Sequence, residues 1–201
     1  MKVSIGRDNK WCPRPLYIFG TFKEDGTPDF GLFCWFSYAW TDGLAAMACI
    51  GENKQTLDRI RAAKAFSANL VTEATLPLAD YFGSVSGYDP EKMNIPLNWE
   101  KGRMLNVPIL TDCPVSFERE VREIIPLNDE GSTAMISDIR NTLADPMLAD
   151  ESIPSAELLR RLAPVTTVGR CEYWDWNGQR VGTWHGLAGQ ILADAKIQQH
   201  P

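Results

Sequence analysis

Four residues in the first third of the chain combine polar side chains with a positive charge, in the order Asn53-Lys54-Gln55-Thr56. An amphipathic run follows them, so they are expected at the N-terminus of a helix. Free amide groups and the helix dipole attract anions there, and Asn53, Lys54 and Thr56 could hold a phosphate group. The same pattern is common at the start of an ordinary helix capped by Thr56, with Lys54 in water. The motif alone leaves both interpretations open.

Five aromatic residues fall within the eight positions from Phe33 to Trp40. Successive side chains of a strand point to opposite faces, so both faces of this segment would be apolar. Such a segment is typical of a central strand covered on both sides, of a subunit interface, or of a wall for a flat ligand. The sequence does not choose among these three structures.

Two further side chains could take part in chemistry. His185 follows a predicted strand and could approach the edge of a ligand, although a lone histidine beside an aromatic residue is more often structural. Cys34 lies inside the aromatic segment, and a redox role would need an exposed thiol with a lowered pKa. With His185 and His200 as its two histidines, the chain offers little for histidine-based catalysis or a His-rich metal site. We therefore assign no catalytic residue and no metal ligand.

Composition argues against several other classes of protein. The formal net charge of −6 argues against a nucleic-acid-binding protein. We expect neither a membrane span nor a signal peptide, because no apolar run has the required length. Five cysteines without a CxxC pair indicate a reduced, cytoplasmic protein. The motifs GxGxxG, GxxxxGKS/T, HExxH and GxSxG do not occur, so an enzyme with this sequence would take its reactive group from a bound cofactor.

The elements that must position these residues are mainly strands. Apolar runs separated by turn-forming residues predict strands over residues 16–22, 29–40, 44–50, 66–71, 107–110, 115–125 and 134–143. The turn at residues 24–28 favours antiparallel pairing of the strands that flank it. The strand over residues 66–71 alternates apolar and polar residues, which predicts that one of its faces is solvated.

Short helices and two loops complete the prediction. Helices are expected after Thr56, over residues 75–82 with Pro77 in the first turn, and after Ser155. Residues 83–106 lack periodicity and predict a long surface excursion. Asn177-Gly178 predicts a two-residue type I′ turn within a hairpin over residues 171–184. No linker interrupts the sequence, which predicts a single domain over residues 1–201.

Taken in order, several of these segments resemble the flavin reductase-like family, and particularly its flavoredoxin-like members. The turn Asp25-Gly26-Thr27-Pro28 and the helix start Asn53-Lys54-Gln55-Thr56 belong to that likeness. It is strongest from about residue 13 to residue 125. The segments that carry it are 25–28, 33–50, 53–60, 65–70, 78–83, 87–93, 107–110 and 113–118.

The resemblance implies a mainly β fold: a six-stranded antiparallel Greek-key split barrel with a few short helices. It also implies a homodimer with FMN near the subunit interface. Residues expected at the flavin phosphate are Asn53, Lys54 and Thr56, and those expected along the isoalloxazine ring are Phe33, Cys34, Trp35, Phe36 and Ser37. The implied activity is that of an NAD(P)H:flavin reductase, in which a hydride passes to flavin N5. Such a transfer requires stacking and orientation more than a protein acid or base.

Two other functions stay open. An electron-transfer flavoprotein of the flavoredoxin type would exchange electrons with a carrier protein and would have no nicotinamide activity of its own. A flavin-less binding module of the same fold is the third reading. Its sequence hint is a departure from the family pattern at Asp29, where many relatives have Asn, and at Asp42-Gly43-Leu44, where they have Asp-Pro-Pro.

Overall fold

A computed structural model describes residues 1–9, 12–52, 54–169 and 171–199, and for residues 195–199 it describes the backbone alone. Within these ranges the strands are β1 (Arg14–Pro15), β2 (Tyr17–Phe22), β3 (Pro28–Phe33), β4 (Phe36–Trp40), β5 (Leu44–Ile50), β6 (Ala65–Leu70), β7 (Trp99–Lys101), β8 (Pro108–Leu110), β9 (Val115–Pro126), β10 (Thr133–Ala144), β11 (Thr166–Thr167), β12 (Glu172–Trp174) and β13 (Arg180–Thr183). The α-helices are α1 (Gln55–Ala63), α2 (Leu76–Ser84), α3 (Ser155–Leu162) and α4 (Ala188–Gln199), and a 3-10 helix covers Pro146–Ala149. None of the described helices combines the length and the apolar character that a bilayer crossing requires.

The main sheet contains seven antiparallel strands in the order β3-β2-β6-β9-β10-β5-β4. Its two end strands are consecutive in the chain, since Phe33 ends β3 and Phe36 begins β4. Three Cα–Cα steps join these two residues and span at most about 11 Å. The sheet must therefore curl until its two edges meet at Cys34 and Trp35. The result confirms the predicted mainly β split barrel, with seven strands in the place of six.

Side chains on the two faces of β2 contribute to the two apolar cores of the molecule. Tyr17 and Phe19 point into the first core, to which β4, β5, β6, β9 and β10 also contribute, so this core fills the barrel interior. Helix α1 closes it with Leu57 and Ile60. Ile18, between the two aromatic residues, points outward into the second core, against which α2 and the C-terminal part of the chain pack. Full burial of each such side chain stabilises the fold by about 1.5–3 kcal/mol.

Most of the predicted strands are confirmed, but four local predictions are wrong. Residues 29–40 form two strands, because the chain crosses the split of the barrel at residues 34–35. The strand over residues 66–71 is buried on both faces, since β8 and the barrel interior lie on opposite sides of it. The cap of α1 is Lys54, in extended conformation and without a side-chain hydrogen bond, so Thr56 lies inside the first turn. Likewise, α3 follows Pro154 and Ser155 is its first helical residue.

A smaller sheet, in the order β1-β11-β12-β13, carries the predicted C-terminal hairpin. Its turn is longer than the two residues predicted, because Trp174 pairs with Arg180. A type I′ turn needs positive φ at both central residues, whereas Gly178 has φ 83° and Asn177 stays outside the left-handed region. The carboxylate of Asp175 accepts the backbone N–H groups of Asn177 and Gln179 and fixes the wider turn.

The segment 83–106 leaves α2 and reaches β8 by way of β7. Its first half is fastened by Tyr81, whose hydroxyl donates to the carbonyl oxygen of Lys92 at 2.8 Å. Its second half is fastened by the buried carboxylate of Glu118, which accepts the backbone N–H groups of Arg103, Met104 and Leu105 at 3.0, 2.8 and 2.6 Å. The first half of the segment is therefore tied to α2 and the second half to the barrel.

Candidate functional site

A groove runs beside the split of the barrel and consists of two adjoining cavities of about 360 and about 310 Å³. The cavities share Leu32, Lys54 and Gly83, so they lie side by side. We call the larger cavity the polar end; its lining includes Gln55, Thr56, Ser84, Ser86, Gly87 and Lys92. We call the smaller cavity the apolar end; its lining includes Leu16, Cys34, Tyr173, Trp184 and His185.

The polar end is built on the N-terminus of α1. The first amide groups of a helix have no intrahelical acceptor, and no side chain of Lys54 caps them. Thr56 comes close to β3 because Gly31 lies beneath it: a Cβ atom there would be 3.1 Å from the Thr56 hydroxyl oxygen. The ammonium group of Lys54 is half exposed, at 3.8 Å from a carboxylate oxygen of Glu52. Amide groups, a hydroxyl and a half-exposed cation thus converge on one cavity.

A buried ion cluster reinforces the positive potential of this end. Asp29 is 1% exposed and pairs with both Arg59 and Lys92, whose ammonium lies 3.1 Å from one carboxylate oxygen and also donates to the carbonyl of Phe30. Burial lowers the pKa of Lys92, and the charge of Asp29 opposes that shift. Two cations against one anion leave an excess positive charge next to the cavity. Charges interact more strongly in such a poorly solvated place than in water.

The apolar end brings together residues from distant parts of the chain. Cys34 comes from the connection between β3 and β4, Tyr173 from β12, and Trp184 and His185 from the segment after β13. Burial raises the pKa of the Cys34 thiol, with Arg14 acting in the opposite direction. The thiol is therefore protonated at neutral pH and contributes a small apolar surface. Burial, together with a hydrogen bond to Asp80, also raises the pKa of the Tyr173 hydroxyl.

Asp80 of α2 holds this wall in place. Its side chain is 1% exposed. One carboxylate oxygen accepts the Tyr173 hydroxyl at 2.6 Å and the backbone N–H of His185 at 2.7 Å, and the other accepts the N–H groups of Leu187 and Ala188 at 2.8 and 3.0 Å. The His185 backbone has φ 61°, a left-handed conformation that these bonds stabilise.

The structure brings five of the predicted site residues into the groove: Phe33, Cys34, Lys54, Thr56 and His185. Asn53 lies outside the described residues.

Three other residues predicted beside the ring lie elsewhere. Trp35 is 54% exposed and stacks on Arg14, whose guanidinium carbon is 4.8 Å from the ring centroid. Phe36 is buried in the barrel interior, with its ring centroid 4.3 Å from that of Tyr17. Ser37 is exposed on the end strand β4. The alternation of a strand explains this outcome, since consecutive residues cannot all face one ligand.

The sequence analysis missed several lining residues. Ser84, Ser86, Gly87 and Lys92 come from α2 and from the segment predicted as a surface excursion, where the glycines and the lysine were the available signal. Trp184 stands next to the predicted His185, and its position in sequence could have suggested it. Leu16 and Tyr173 carry no sequence signal, because only the packing of the two sheets brings them to the cavity.

Residues 9–150 match the family model of the flavin reductase like domain. This range covers most of the chain, including all strands of the barrel and both ends of helix α1. The chain therefore belongs to the flavin reductase-like family. Comparison with the curated proteins found no matching sequence.

Solved structures share the fold at low sequence identity. Flavoredoxin of Desulfovibrio vulgaris (Miyazaki F) superimposes with a TM-score of 0.74 at 21% identity, over 87% of this chain and 93% of the other. Nitrilotriacetate monooxygenase component B from Bacillus cereus gives 0.75 at 11% identity, over 89% and 98%. The FMN-binding protein from Thermus thermophilus, with bound p-hydroxybenzaldehyde, gives 0.68 at 18% identity, over 87% and 93%. These likenesses establish the architecture.

Proposed function

We propose that this chain binds FMN in the groove and works as an FMN-dependent oxidoreductase. The observation that carries the proposal is that two cavities, one suited to an anion and the other to a flat apolar ring, adjoin at Lys54. FMN has the same sequence of parts, a phosphate joined through a short polar chain to a planar ring. Membership of the flavin reductase-like family and the likeness to an FMN-binding protein support the same cofactor.

The residues of the groove fit FMN. The amide groups at the start of α1, the Thr56 hydroxyl and the ammonium groups of Lys54 and Lys92 would hold the phosphate. Tyr173, Trp184 and Cys34 would surround the ring. The bound flavin supplies a centre that accepts and donates hydride, so the protein has to bind and orient rather than to transfer protons itself. Walls formed by aromatic rings also exclude water from the reacting face.

We further propose NAD(P)H as the electron donor, which makes the chain an NAD(P)H:flavin reductase. The absence of a dinucleotide-binding motif in the sequence is compatible with this, because a nicotinamide could stack on a flavin at the open side of the groove. The alternative is an electron-transfer flavoprotein that receives electrons from a carrier protein. The likeness to flavoredoxin supports that alternative.

The exposed side of β4 and β5 supports a homodimer. Trp40 on β4, the end strand of the main sheet, is 78% exposed, and Tyr38 on β4 and Leu44 on β5 are about half exposed. Leu44 is the Cα partner of Trp40, so these three side chains lie on one face of the sheet. An apolar surface of this kind marks a protein interface. We expect light scattering after size exclusion to give the mass of a dimer, and Trp40→Glu combined with Leu44→Glu to give a monomer. We also propose a cytoplasmic location, which the free thiols of all five cysteines support.

Spectroscopy of the purified protein tests the cofactor. We expect flavin absorbance in the visible range, or quenching of flavin fluorescence when FMN is added to the apoprotein. A colourless protein that leaves added FMN unquenched would contradict both flavin functions and favour the flavin-less module. If FMN binds, oxidation of NADH or NADPH in the presence of flavin supports the reductase, and its absence supports the electron carrier.

A further inference from the structure

The hydrogen bonds around Ser84 determine where His185 carries its proton. The hydroxyl oxygen of Ser84 is 2.7 Å from the carbonyl oxygen of Asp80 and 2.7 Å from Nδ1 of His185. A carbonyl only accepts, so the single hydroxyl hydrogen of Ser84 points at Asp80. Ser84 must then accept the second bond, and Nδ1 must donate it. In a neutral imidazole, a hydrogen on Nδ1 leaves Nε2 as an acceptor.

Two hydrogen bonds fix the position of Nε2, one to the backbone of His185 and one to its ring. The backbone N–H of His185 is bound to the buried carboxylate of Asp80 at 2.7 Å, and the ring is bound to Ser84. The imidazole lines the apolar end of the groove, and Nε2 has no partner within the described parts of the chain. A preorganised acceptor therefore stands in a cavity lined otherwise by Leu16, Leu32, Cys34, Gly83, Tyr173 and Trp184, with Lys54 at its junction with the polar end.

We propose that Nε2 of His185 accepts the imide N–H of the flavin ring and so selects which edge of the ring enters the apolar end. This inference rests on the proposed binding of FMN. Oxidised isoalloxazine carries one ring N–H, at N3, between two carbonyl groups, and its other polar edge atoms are acceptors. The opposite tautomer would prefer those acceptors. Ser84, which does not itself touch the ring in this proposal, thus sets the orientation of the cofactor through His185.

Binding of two flavins to two forms of the protein tests this hydrogen bond. We would titrate the apoprotein and its His185→Asn variant with FMN and with FMN methylated at N3. Asparagine keeps an amide donor near the position of Nδ1, tolerates positive φ, and does not reach the position of Nε2. We expect N3 methylation to weaken binding to the unmodified protein about tenfold or more, and to change binding to the variant by less than about twofold.

Nitrogen NMR tests the tautomer without any flavin. With ¹⁵N-labelled protein, the His185→Asn spectrum identifies the signals of His185, since His200 is the other histidine. We expect a protonated Nδ1 and an unprotonated Nε2 in the unmodified protein, and a mixture of tautomers in the Ser84→Ala variant. A protonated Nε2 at neutral pH would overturn the inference.

The outcomes separate this inference from the function on which it rests. If the unmodified protein binds FMN and its N3-methyl derivative equally, the hydrogen bond is refuted while FMN binding stands. If neither flavin binds, the proposed function fails and the inference fails with it, whatever tautomer the NMR spectrum shows.

Discussion

The buried carboxylate of Asp80 lies 2.7 Å from the backbone nitrogen of His185, and this hydrogen bond joins α2 to the segment that precedes α4. The two residues are 105 positions apart. The Asp80 side chain thus connects α2, which ends at the polar end of the groove, to the segment that forms a wall of the apolar end. The position of that wall depends on a single carboxylate.

Asp80→Asn is expected to lower the free energy of unfolding by about 3 kcal/mol, because an amide nitrogen would replace an acceptor that buried N–H groups use. Urea unfolding followed by fluorescence of the tryptophans measures the change. Asp129→Asn, in an exposed loop, is the matched control and should change stability by less than about 0.5 kcal/mol. Equal stabilities of the two variants would show that Asp80 does not hold the wall.

Lys54→Ala combined with Thr56→Ala is expected to weaken FMN binding by about 2–4 kcal/mol, since charge-assisted hydrogen bonds to the phosphate are lost. Riboflavin, which lacks the phosphate, should bind the variant and the unmodified protein alike. Fluorescence quenching gives both affinities. Lys101→Ala removes an exposed lysine on β7, outside the groove, and should leave FMN affinity unchanged. Unaltered FMN binding by the double variant would refute the phosphate site.

Glu118→Gln should destabilise the protein at neutral pH and much less in acid. Burial by itself raises the pKa of Glu118, but hydrogen bonds from Asn141 and from the backbone of residues 103–105 outweigh it and lower the pKa below its usual 4.5. A carboxylate with a lowered pKa in the folded state contributes stability above pH 4.5, and this contribution disappears as the pH falls through the folded-state pKa.

Unfolding curves of both proteins between pH 7 and pH 3 measure this difference. Their stabilities should converge as the pH falls. Glu123→Gln, an exposed glutamate on the same strand, should follow the unmodified protein at every pH. A difference that stays constant with pH would contradict the assignment.

Gly20→Ala is expected to cost about 1–3 kcal/mol of stability through overpacking. A Cβ atom at Gly20 would lie 2.5 Å from the Ser67 hydroxyl oxygen and 2.7 Å from the carbonyl oxygen of Pro108. Nothing lies within 4 Å of a Cβ at Gly43, and its φ is not positive, so Gly43→Ala is the control and should be neutral. Thermal unfolding distinguishes them, and a neutral Gly20→Ala would mean that β2 and β6 can move apart.

The strands and the start of α1 could be predicted from the sequence because they depend on local patterns. The turn over residues 24–28 and the strand over residues 44–50 are each indicated by residue types that lie within a few positions of one another. The interruption between β3 and β4 at Cys34 could not be predicted, because the residues that cross the split of the barrel are as apolar as those of a strand. The wall formed by Tyr173 could not be predicted for another reason. It depends on the buried Asp80, whose partners are more than 90 residues away.

The distance along the chain between the walls of the apolar end has a consequence for biosynthesis. Leu16 and His185 line the same cavity, so the cavity has no closed form while the ribosome still holds residue 185. The barrel strands and the start of α1 all precede residue 145 and can emerge and pair earlier. A nascent chain would therefore form the polar end of the groove before it forms the apolar end. A ligand that needs both ends has to wait until residue 185 has emerged.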